Sequence, residues 1–534
     1  MTVTVGRAAI GFAPRARMAY DGAPMHVSGH LASTSLLVVL CFAACTPVER
    51  PLPIGGGGAA GATATSTASA GGDTTTTSSV GGGAATSTGN GSPVSSSSGT
   101  ACVNDADCPS GPQAKGICLA GGVCALVCVK GYEDCDKDPA TGCEADLNAD
   151  KSHCGSCAKA CFYSCSSGTC TDPTSVVTGN ETSCALLGTG AVYCWGANQT
   201  GQAGIGAMSP GVPVPSLVAL GGPAVEIAAG GSSNVSGGGH ACAVLATGEA
   251  FCWGSNSQGQ LGNGIPQDSP LPVHLAQVGN NVIHVSAGSS HTCAITSTNK
   301  LFCWGNNNAG QIGNGQTGGI QQFPVPVSMP SASAVSAGTT FTCAIDMAGK
   351  PFCWGLNQDG KLGVGDAMAQ HPQPTPVMAV NGALGIAAGA NHACAWTATE
   401  VYCWGDNSMF EVGVGVVGGP PSTSIPLLVP VGPVTSLAVG ADFSGAILGG
   451  TGDLWMWGTG PFADGTTQSP KPKPIAAGSV VGFDAGGRVM SQMKHACAIK
   501  TTGELVCWGS DNVGQLGDND LGATHPKPVT VQLP

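Results

Sequence analysis

Basic residues are scarce in this sequence. Only 18 of its 534 residues are lysine or arginine, against 31 aspartates and glutamates, which leaves a net charge of −13 at pH 7. Binding to nucleic acid requires a basic face that neutralises phosphates. The composition therefore argues against a nucleic-acid partner.

The apolar run near the start is also too short to cross a membrane. Leu31 to Ala44 spans 14 residues, a length suited to the apolar part of a signal peptide. Phe42-Ala-Ala-Cys45 closes this run and resembles a bacterial lipoprotein processing site, where Cys45 would carry the lipid. An ordinary cleaved signal ending near Ala44 is the alternative. We predict export, with residues 1–45 as signal and a location in the cell envelope, as an outer-membrane or cell-surface lipoprotein, or in the medium.

Catalytic signatures are missing too. The chain has no nucleophile elbow, no phosphate-binding Gly-Lys loop and no HExxH helix, and each of these motifs carries a defined chemistry. Paired glycines such as Gly262 and Gly264 belong to recurring turns. The sequence therefore predicts a non-enzymatic protein without a cofactor.

The sequence does contain a repeat, clearest at His291 to Gly315, HTCAITSTNKLFCWGNNNAGQIGNG. Two short apolar runs flank a turn, which predicts a β-hairpin followed by a Gly-rich loop. Trp-Gly pairs recur at intervals of about 50 residues, starting at Trp195, Trp253, Trp304, Trp354, Trp404, Trp457 and Trp508. One small sheet cannot bury its own apolar faces, so such a period indicates the blades of a β-propeller.

Each repeat adds two more strand-like pieces, such as Leu271 to Leu275 and Val282 to Val285, which gives four strands per blade. The predicted fold is an all-β, seven-bladed propeller over residues 172–534, preceded by a small disulfide-rich module. Because the first repeat begins near Ser175 and the chain ends in a strand-like tail from His525, we expect this tail to pair into the first blade and close the ring.

The string Trp253-Gly-Ser-Asn-Ser-Gln-Gly-Gln-Leu-Gly-Asn-Gly264 resembles the repeat of the regulator of chromosome condensation. The resemblance covers roughly residues 174 to 534 and fits better than kelch repeats of the same period or the shorter WD repeats. It implies a seven-bladed propeller. The family's namesake exchanges guanine nucleotide on a small GTPase and docks on chromatin, but an exported chain meets neither, and fold does not carry function.

Two further segments precede the propeller. Residues 46–100 are predicted to be a disordered linker, since from Gly55 to Thr100 they are almost entirely Gly, Ala, Ser and Thr. Residues 101–171 hold twelve cysteines between Cys102 and Cys170 with few large apolar side chains. In an exported chain this density predicts a disulfide module, although the pairing cannot be read from the sequence.

Two metal interpretations stay open in this module. Three aspartates starting at Asp134 are spaced like a calcium loop, but Pro139 replaces the required glycine, which excludes an EF-hand. A looser carboxylate site near Glu144 remains open. Zinc binding by Cys154-x-x-Cys157 is the alternative to disulfides, which an oxidising compartment favours. We assign no metal site.

Six repeats carry one cysteine on each arm of the hairpin, where facing residues come within disulfide range. The predicted pairs are Cys184 with Cys194, Cys242 with Cys252, Cys293 with Cys303, Cys343 with Cys353, Cys394 with Cys403, and Cys497 with Cys507. Blade 6 has Gly445 and Met456 instead. The loss of both cysteines together is expected if the two form a disulfide. The alternative is that these cysteines are reduced and buried.

A histidine recurs two places before the first cysteine of the hairpin, at His240, His291, His392 and His495. The same place holds Thr182, Phe341 and Phe443 in the other blades. Because Phe cannot ligate a metal or move a proton, we predict a packing site. The periodic tryptophans are predicted to be core residues between blades.

Two insertions interrupt the repeat, at Gly231 to Gly239 in blade 2 and Gly487 to Lys494 in blade 7. Both follow the same strand in blades that flank blade 1, and insertions in repeat proteins often mark the binding face. Drift in a tolerant surface loop is the alternative. The predicted partner-binding residues are Ser232, Ser233, Asn234, Arg488, Met490 and Gln492.

The sequence as a whole favours a monomeric, non-enzymatic cell-surface or secreted protein whose propeller face binds a protein or glycan. A lipid would be its only membrane attachment. The alternatives are a secreted enzyme with a site in the propeller channel and, less favoured, a guanine nucleotide exchange factor. Convergent carboxylates or histidines with displaced pKa values would favour an enzyme, whereas a broad shallow face would favour binding.

Overall fold

The computed structural model describes residues 93–137, 142–231, 238–415, 420–475, 479–487, 493–522 and 524–534, with the backbone alone described at 93–100. The predicted signal, Cys45 and the linker up to residue 92 lie outside these ranges. So do the six residues predicted to bind a partner. Within the ranges, helices are too short and too polar to pass through a bilayer.

The cysteine-rich module consists of short strands joined by turns. The strands are β1 (Pro93–Ala101), β2 (Ala114–Leu119), β3 (Val123–Cys128), β4 (Tyr132–Glu133), β5 (Ala145–Asp146), β6 (Cys165–Ser166) and β7 (Thr169–Cys170), with one 3-10 turn at Asp105–Asp107. β1 lies within the predicted linker, but its main chain pairs with the open edge of β3, a pairing that needs only backbone groups. The ordered module therefore starts before Cys102.

Six disulfides hold this module together in place of a large apolar core. They join Cys102 with Cys118, Cys108 with Cys124, Cys128 with Cys143, Cys135 with Cys157, Cys154 with Cys165, and Cys161 with Cys170. Cys154 and Cys157 bond to different partners. The two thiolates that a zinc site would need are thus consumed.

Seven four-stranded antiparallel sheets follow, one for each repeat, and confirm the predicted propeller. Their strands, in order from the axis outward, are as follows: blade 1, β8 (Pro173–Thr178), β9 (Thr182–Leu187), β10 (Val192–Asn198) and β11 (Ser209–Leu217); blade 2, β12 (Ala224–Gly231), β13 (Gly239–Leu245), β14 (Ala250–Gly254) and β15 (Ser269–His274); blade 3, β16 (Val282–Ala287), β17 (His291–Thr296), β18 (Leu301–Asn306) and β19 (Ile320–Pro326); blade 4, β20 (Ala332–Ala337), β21 (Phe341–Asp346), β22 (Pro351–Leu356) and β23 (Gln370–Pro376).

The remaining strands are as follows: blade 5, β24 (Gly385–Ala388), β25 (His392–Trp396), β26 (Val401–Asp406) and β27 (Ser422–Val429); blade 6, β28 (Val434–Val439), β29 (Phe443–Leu448), β30 (Leu454–Thr459) and β31 (Gln468–Ile475); blade 7, β32 (Val480–Gly487), β33 (Lys494–Lys500), β34 (Leu505–Ser510) and β35 (Thr524–Thr530). A 3-10 turn at Gln358–Gly360 lies in the blade 4 loop.

The predicted ring closure is wrong. β35 pairs with β34 of its own blade, and blade 1 is complete because β8 supplies its inner strand. Pro173–Thr178 ends directly before Gly179, as Val282–Ala287 ends directly before Gly288, so it forms the same element. Blades 7 and 1 meet instead through side chains, with Val176 and Trp195 packed against Leu516.

The cysteine-rich module fastens the seam between blades 7 and 1. The hydroxyl of Tyr163 donates to the carbonyl oxygen of Val531 at 3.0 Å and accepts from the backbone N–H of Leu505 at 3.2 Å. Its ring packs against the cluster between the two blades, and burial raises the pKa of Tyr163 to about 12. The module is therefore docked on the propeller.

A glycine ends the inner strand of every blade, at Gly179, Gly230, Gly288, Gly338, Gly389, Gly440 and Gly486. A β-carbon at Gly338 would lie 2.6 Å from the carbonyl oxygen of Gly389, and five others of the ring meet the next glycine's carbonyl in the same way. Only residues without a side chain allow the seven backbones to approach this closely. These glycines narrow the axial channel at one end.

The structure joins the six hairpin cysteine pairs as predicted, with Cα–Cα distances of 4.0 to 4.1 Å. In each of these blades the disulfide packs against an aliphatic residue on the inner strand of the next blade, such as Val335 beside Cys293. Blade 7 has Phe483 at that place. Its ring occupies the space that a β-carbon at Gly445 would need, which explains why blade 6 has lost both cysteines.

We predict that Gly445→Cys with Met456→Cys forms a seventh hairpin disulfide only when Phe483→Val is added. The two positions face each other in the sheet, but the Phe483 ring overpacks the bridge, and overpacking costs about 1–3 kcal/mol. Thiol counts and thermal unfolding of the double and triple variants test this, with Phe483→Val as control. Equal stability of the double and triple variants would contradict the explanation.

Candidate functional site: blade interfaces, axial channel and rim

The seven tryptophans are fully buried and bond each blade to the one before it. The indole Nε1 donates at 2.8 to 3.0 Å to the same loop carbonyl of the preceding blade: Trp195 to Gln515, Trp253 to Gln202, Trp304 to Gln260, Trp354 to Gln311, Trp404 to Lys361, Trp457 to Glu411 and Trp508 to Pro461. This confirms their predicted place between blades. The bond from Trp195 to Gln515 spans the seam.

The recurring histidines point into the next blade as well. Nε2 of His291 lies 2.8 Å from Oγ1 of Thr342, whose hydroxyl donates to the Gln311 carbonyl at 2.8 Å. Because that hydroxyl hydrogen is already used, Nε2 must be the donor and the ring is the neutral Nε2–H tautomer. Nδ1 is buried and has no hydrogen-bond partner among the described residues.

Burial lowers the pKa of all four histidines, to about 4 for His291 and His495 and to about 3 for His240 and His392. A neutral ring enclosed by protein cannot exchange protons with a substrate. The histidines therefore act in packing, as predicted.

Histidine in one blade is matched by a hydroxyl in the next. The pairs are His240 with Thr292, His291 with Thr342, His392 with Ser444, and His495 with Ser183, all at 2.7 to 2.9 Å. The three blades that carry Thr182, Phe341 or Phe443 are followed by Ala241, Ala393 and Ala496. The sequence contains this correlation, but it appears only when neighbouring repeats are compared.

We predict that His291→Phe and Thr342→Ala each destabilise the protein by about 1–2 kcal/mol. His291→Phe removes the donor to the Thr342 hydroxyl, and Thr342→Ala leaves the buried Nε2–H of His291 without an acceptor. The double variant recreates the Phe341–Ala393 arrangement, so its loss should be smaller than the sum of the two. Equilibrium unfolding of all four proteins measures the coupling. Strictly additive losses would contradict it.

We also predict that stability falls as pH drops from about 6.5 towards 4. The folded pKa values lie below the unfolded value, so the unfolded state binds more protons in this window. Each histidine adds a slope approaching about 1.4 kcal/mol per pH unit. Unfolding at several pH values should show a shallower slope for the double variant His291→Phe, Thr342→Ala than for the natural protein.

An ion pair lies in the axial channel across three blades. Glu226 of blade 2 contacts Nδ1 of His284 in blade 3, whose Nε2 lies 3.0 Å from the Val335 carbonyl of blade 4. Burial alone would lower the pKa of His284, but the pair with Glu226 and the Val335 contact raise it to about 9. At neutral pH the ring is a cation with both N–H groups engaged.

Asp484 is the second channel carboxylate. Its Oδ2 accepts from the backbone N–H of Thr178 at 2.6 Å and from the Thr178 hydroxyl at 3.2 Å. Burial raises the pKa of Asp484 to about 6. Ser286 and Ser336 occupy the same place in their blades and accept from Ala337 and Ala388 at 2.9 Å, so this position bonds adjacent inner strands.

The channel thus contains two groups with displaced pKa values, His284 and Asp484, but both of them hold adjacent blades together. Its cavity measures about 350 Å³, and the glycine ring leaves about 90 Å³ at the far end. A general base needs a free lone pair and a reachable substrate proton. His284 offers none without breaking an inter-blade bond, and Asp484 already uses Oδ2 to bond blade 7 to blade 1.

The opposite end of the channel has an apolar rim, formed by the side chains at the start of four inner strands: Val225, Ile283, Leu384 and Val481, all exposed. The rim adjoins a groove of about 410 Å³ lined by Val481 and Ile499 of blade 7 and by Lys159 and Asp172 beside the module. Exposed apolar patches of this kind often mark interaction sites. The sequence repeat does not predict this rim, because which side chains are exposed depends on how the blades are arranged around the axis.

Comparison with known families identifies the chain. Residues 158–491 match the family model of the RCC1-like domain, and residues 494–515 match the regulator of chromosome condensation (RCC1) repeat. The first match covers more than half of the chain. This protein therefore belongs to the RCC1-like domain family, as its repeat indicated.

Individual relatives share only the propeller. The chain is 36% identical to the Probable E3 ubiquitin-protein ligase HERC6 of Homo sapiens over 145 residues, 26% of this chain and 14% of that protein. HERC3 of Homo sapiens is 33% identical over 139 residues, with 26% and 13% covered. The chain therefore spans only a small part of these relatives' length.

Two solved structures share the fold. Human WBSCR16 superposes with a TM-score of 0.56 at 20% identity, covering 64% of this chain and 94% of that one. Prp20p of Saccharomyces cerevisiae gives 0.51 at 20% identity, covering 59% and 80%. Likeness at this level shows the propeller fold alone.

Proposed function

We propose that this protein is a non-enzymatic binding protein of the cell surface or the medium, and that its propeller engages a protein partner through the apolar rim. The observation that carries the proposal is the set of exposed aliphatic side chains at the same place in four of the seven blades, Val225, Ile283, Leu384 and Val481. Aliphatic side chains favour a protein over a glycan, because sugars are held mainly by polar groups and aromatic faces.

The groove beside the module supports the same proposal. It continues the rim at Val481 and adds Lys159 and Asp172 at its edge, which gives an apolar centre with a charged margin. Protein interfaces commonly combine these two features. A module docked on the propeller by Tyr163 would thus contribute to the binding surface.

Disulfide content supports the exported setting. All 24 cysteines from Cys102 to Cys507 are paired in the structure, and such bonds persist in oxidising compartments. Lipid attachment at Cys45 remains a prediction of the sequence.

An enzyme in the channel is the alternative, and the displaced pKa values of His284 and Asp484 speak for it. Catalysis would require His284 to release a proton held between Glu226 and the Val335 carbonyl. The same two contacts stabilise the junction of three blades. Binding is therefore the better-supported function, and guanine nucleotide exchange has no support beyond the shared fold.

We predict that Leu384→Glu weakens partner binding at least about tenfold, because it would bury an unpaired carboxylate in an apolar interface, which costs more than the about 1.4 kcal/mol that corresponds to a tenfold change. Leu428→Glu is the matched control. It lies on the outer strand of the same blade and is 54% exposed, against 67% for Leu384. Both variants should unfold at the natural protein's temperature.

The measurement is capture from envelope and medium fractions by the oxidised full chain, followed by affinity determination with the purified partner. A third variant lacks residues 232–237 and 488–492 and tests the inserted loops, which follow the far ends of the inner strands. Equal binding by the Leu384→Glu and Leu428→Glu proteins would reject the rim. Loss only in the loop variant would move the site to the opposite face, and binding only to a glycan array would reject a protein partner.

A further inference from the structure

An asparagine follows the Trp-Gly pair at the same place in five blades and organises the loop after it. These residues are Asn198, Asn256, Asn307, Asn357 and Asn407. In blade 3, Oδ1 of Asn307 accepts from the backbone N–H of Ile312 at 3.1 Å, and Nδ2 donates to the Gln316 carbonyl at 3.0 Å. Nδ2 also donates to Oδ1 of Asn314 at 3.3 Å, so the amide accepts one hydrogen bond and donates two, all inside the loop.

Blade 7 has Asp511 at this place. Its Oδ1 accepts from the backbone N–H of Leu516 at 2.8 Å, as the asparagines do. Its Oδ2 takes the place of the amide nitrogen, so an acceptor replaces a donor. Asp511 is fully buried, and within the described part of the chain Oδ2 receives no hydrogen bond from an N–H or hydroxyl group; the carboxyl group of Asp518 is its polar neighbour. A buried polar atom without a partner is costly and requires an explanation.

The surroundings of Oδ2 are acidic. Ligand atoms of Asp511, Asp518 and His525 all lie within 4.8 Å of one another. Nε2 of His525 lies 3.6 Å from Oδ2 of Asp518 and 3.8 Å from Oδ2 of Asp520. This imidazole nitrogen is itself buried and makes no hydrogen bond within the described ranges.

The same loop in blade 3 lacks these groups. Asn314 and Gln316 stand where blade 7 has Asp518 and Asp520, and Gln321 faces Gly305 as His525 faces Gly509. Three carboxylates and one imidazole are therefore concentrated in blade 7, at a place where another blade uses neutral amides.

We propose that Asp511, Asp518, Asp520 and His525 bind a divalent transition-metal ion of the Zn²⁺ or Mn²⁺ class. Carboxylates with one imidazole suit such ions, whereas Ca²⁺ and Mg²⁺ prefer oxygen ligands alone. Asp511 supplies a preformed inner ligand, held through its other oxygen by Leu516. Asp520 and His525 are partly exposed, which leaves a route for the ion.

A proton is the competitor for the same oxygen. Burial, together with the charge of Asp518, a hydrogen bond between the two carboxyl groups and the charge of Asp520, raises the pKa of Asp511 to about 7. A proton shared between Asp511 and Asp518 would also satisfy Oδ2. It would not give Nε2 of His525 a hydrogen bond, whereas a metal ion would bind this nitrogen and the carboxylates together.

The test uses the full oxidised chain, freed of metal by chelation. Titration calorimetry and thermal unfolding are measured with Zn²⁺, Mn²⁺, Ca²⁺ and Mg²⁺ separately. We expect one equivalent of Zn²⁺ or Mn²⁺ to bind and raise the unfolding temperature, with little effect of Ca²⁺ or Mg²⁺. Binding that stabilises only the folded state must raise this temperature.

Asp511→Asn is the decisive variant, because it restores the residue found in five other blades and should fold well. The Nδ2 amide group of the variant would point its hydrogens at the ion, so the metal affinity should fall at least about tenfold. Even the loss of a residue that only hydrogen-bonds to a metal ligand commonly has an effect of that size. Asn307→Asp is the matched control. It buries a carboxylate in blade 3, without the other ligands, and should gain no metal affinity.

Three outcomes would overturn the proposal. One is failure of the natural protein to bind either ion. Another is equal binding by Asp511→Asn, which would move the site elsewhere, for example to the acidic residues of the cysteine-rich module. The third is binding of Ca²⁺ in preference to Zn²⁺ and Mn²⁺, which would reject the proposed class. None of these depends on the partner of the rim.

Discussion

The structure depends on one carbonyl oxygen in each blade that accepts the indole hydrogen of the next blade's tryptophan. At four interfaces this oxygen also accepts a hydroxyl hydrogen, and the hydroxyl in turn accepts from the histidine of the earlier blade. Each donor is thus satisfied by a neighbour, which allows polar groups to be buried between sheets. A single blade would leave all of them without partners. The ring is therefore the smallest unit in which every one of these indole and hydroxyl donors has an acceptor.

Much of this fold could be predicted from the sequence, because a strict period fixes blade number, strand order and the pairing of hairpin cysteines. The ring closure could not. The four residues from Ser175 to Thr178 look too few to complete a blade, yet the strand extends back to Pro173, pairs with β9 and packs against a neighbouring blade on each side. The strand at Pro93–Ala101 was equally invisible, because Ser and Thr favour no structure until an open edge lies beside them.

The candidate sites were harder to predict, because each arises from a departure from the repeat. His284 and Asp484 come from blades far apart in sequence and share a channel only once the ring closes. Asp511 differs from the asparagines of five other blades in a single atom, where a carboxylate oxygen replaces the amide nitrogen. This oxygen suggests a metal site only because Asp518 and His525 lie close to it in the structure. The rim residues look like ordinary strand starts in the sequence. Periodicity therefore identifies what the blades share, and their individual differences carry the candidate chemistry.

The disulfides have a mechanical consequence. Every one in the propeller joins two strands of the same hairpin, as Cys242 does with Cys252, and none joins two blades. Tension applied along the chain could therefore peel blades from the ring one after another without rupturing a covalent bond. In each disulfide-bonded hairpin, the residues between the two cysteines would not add to the length of the extending chain. Blade 6, which has no hairpin disulfide, would instead release the full length of its hairpin.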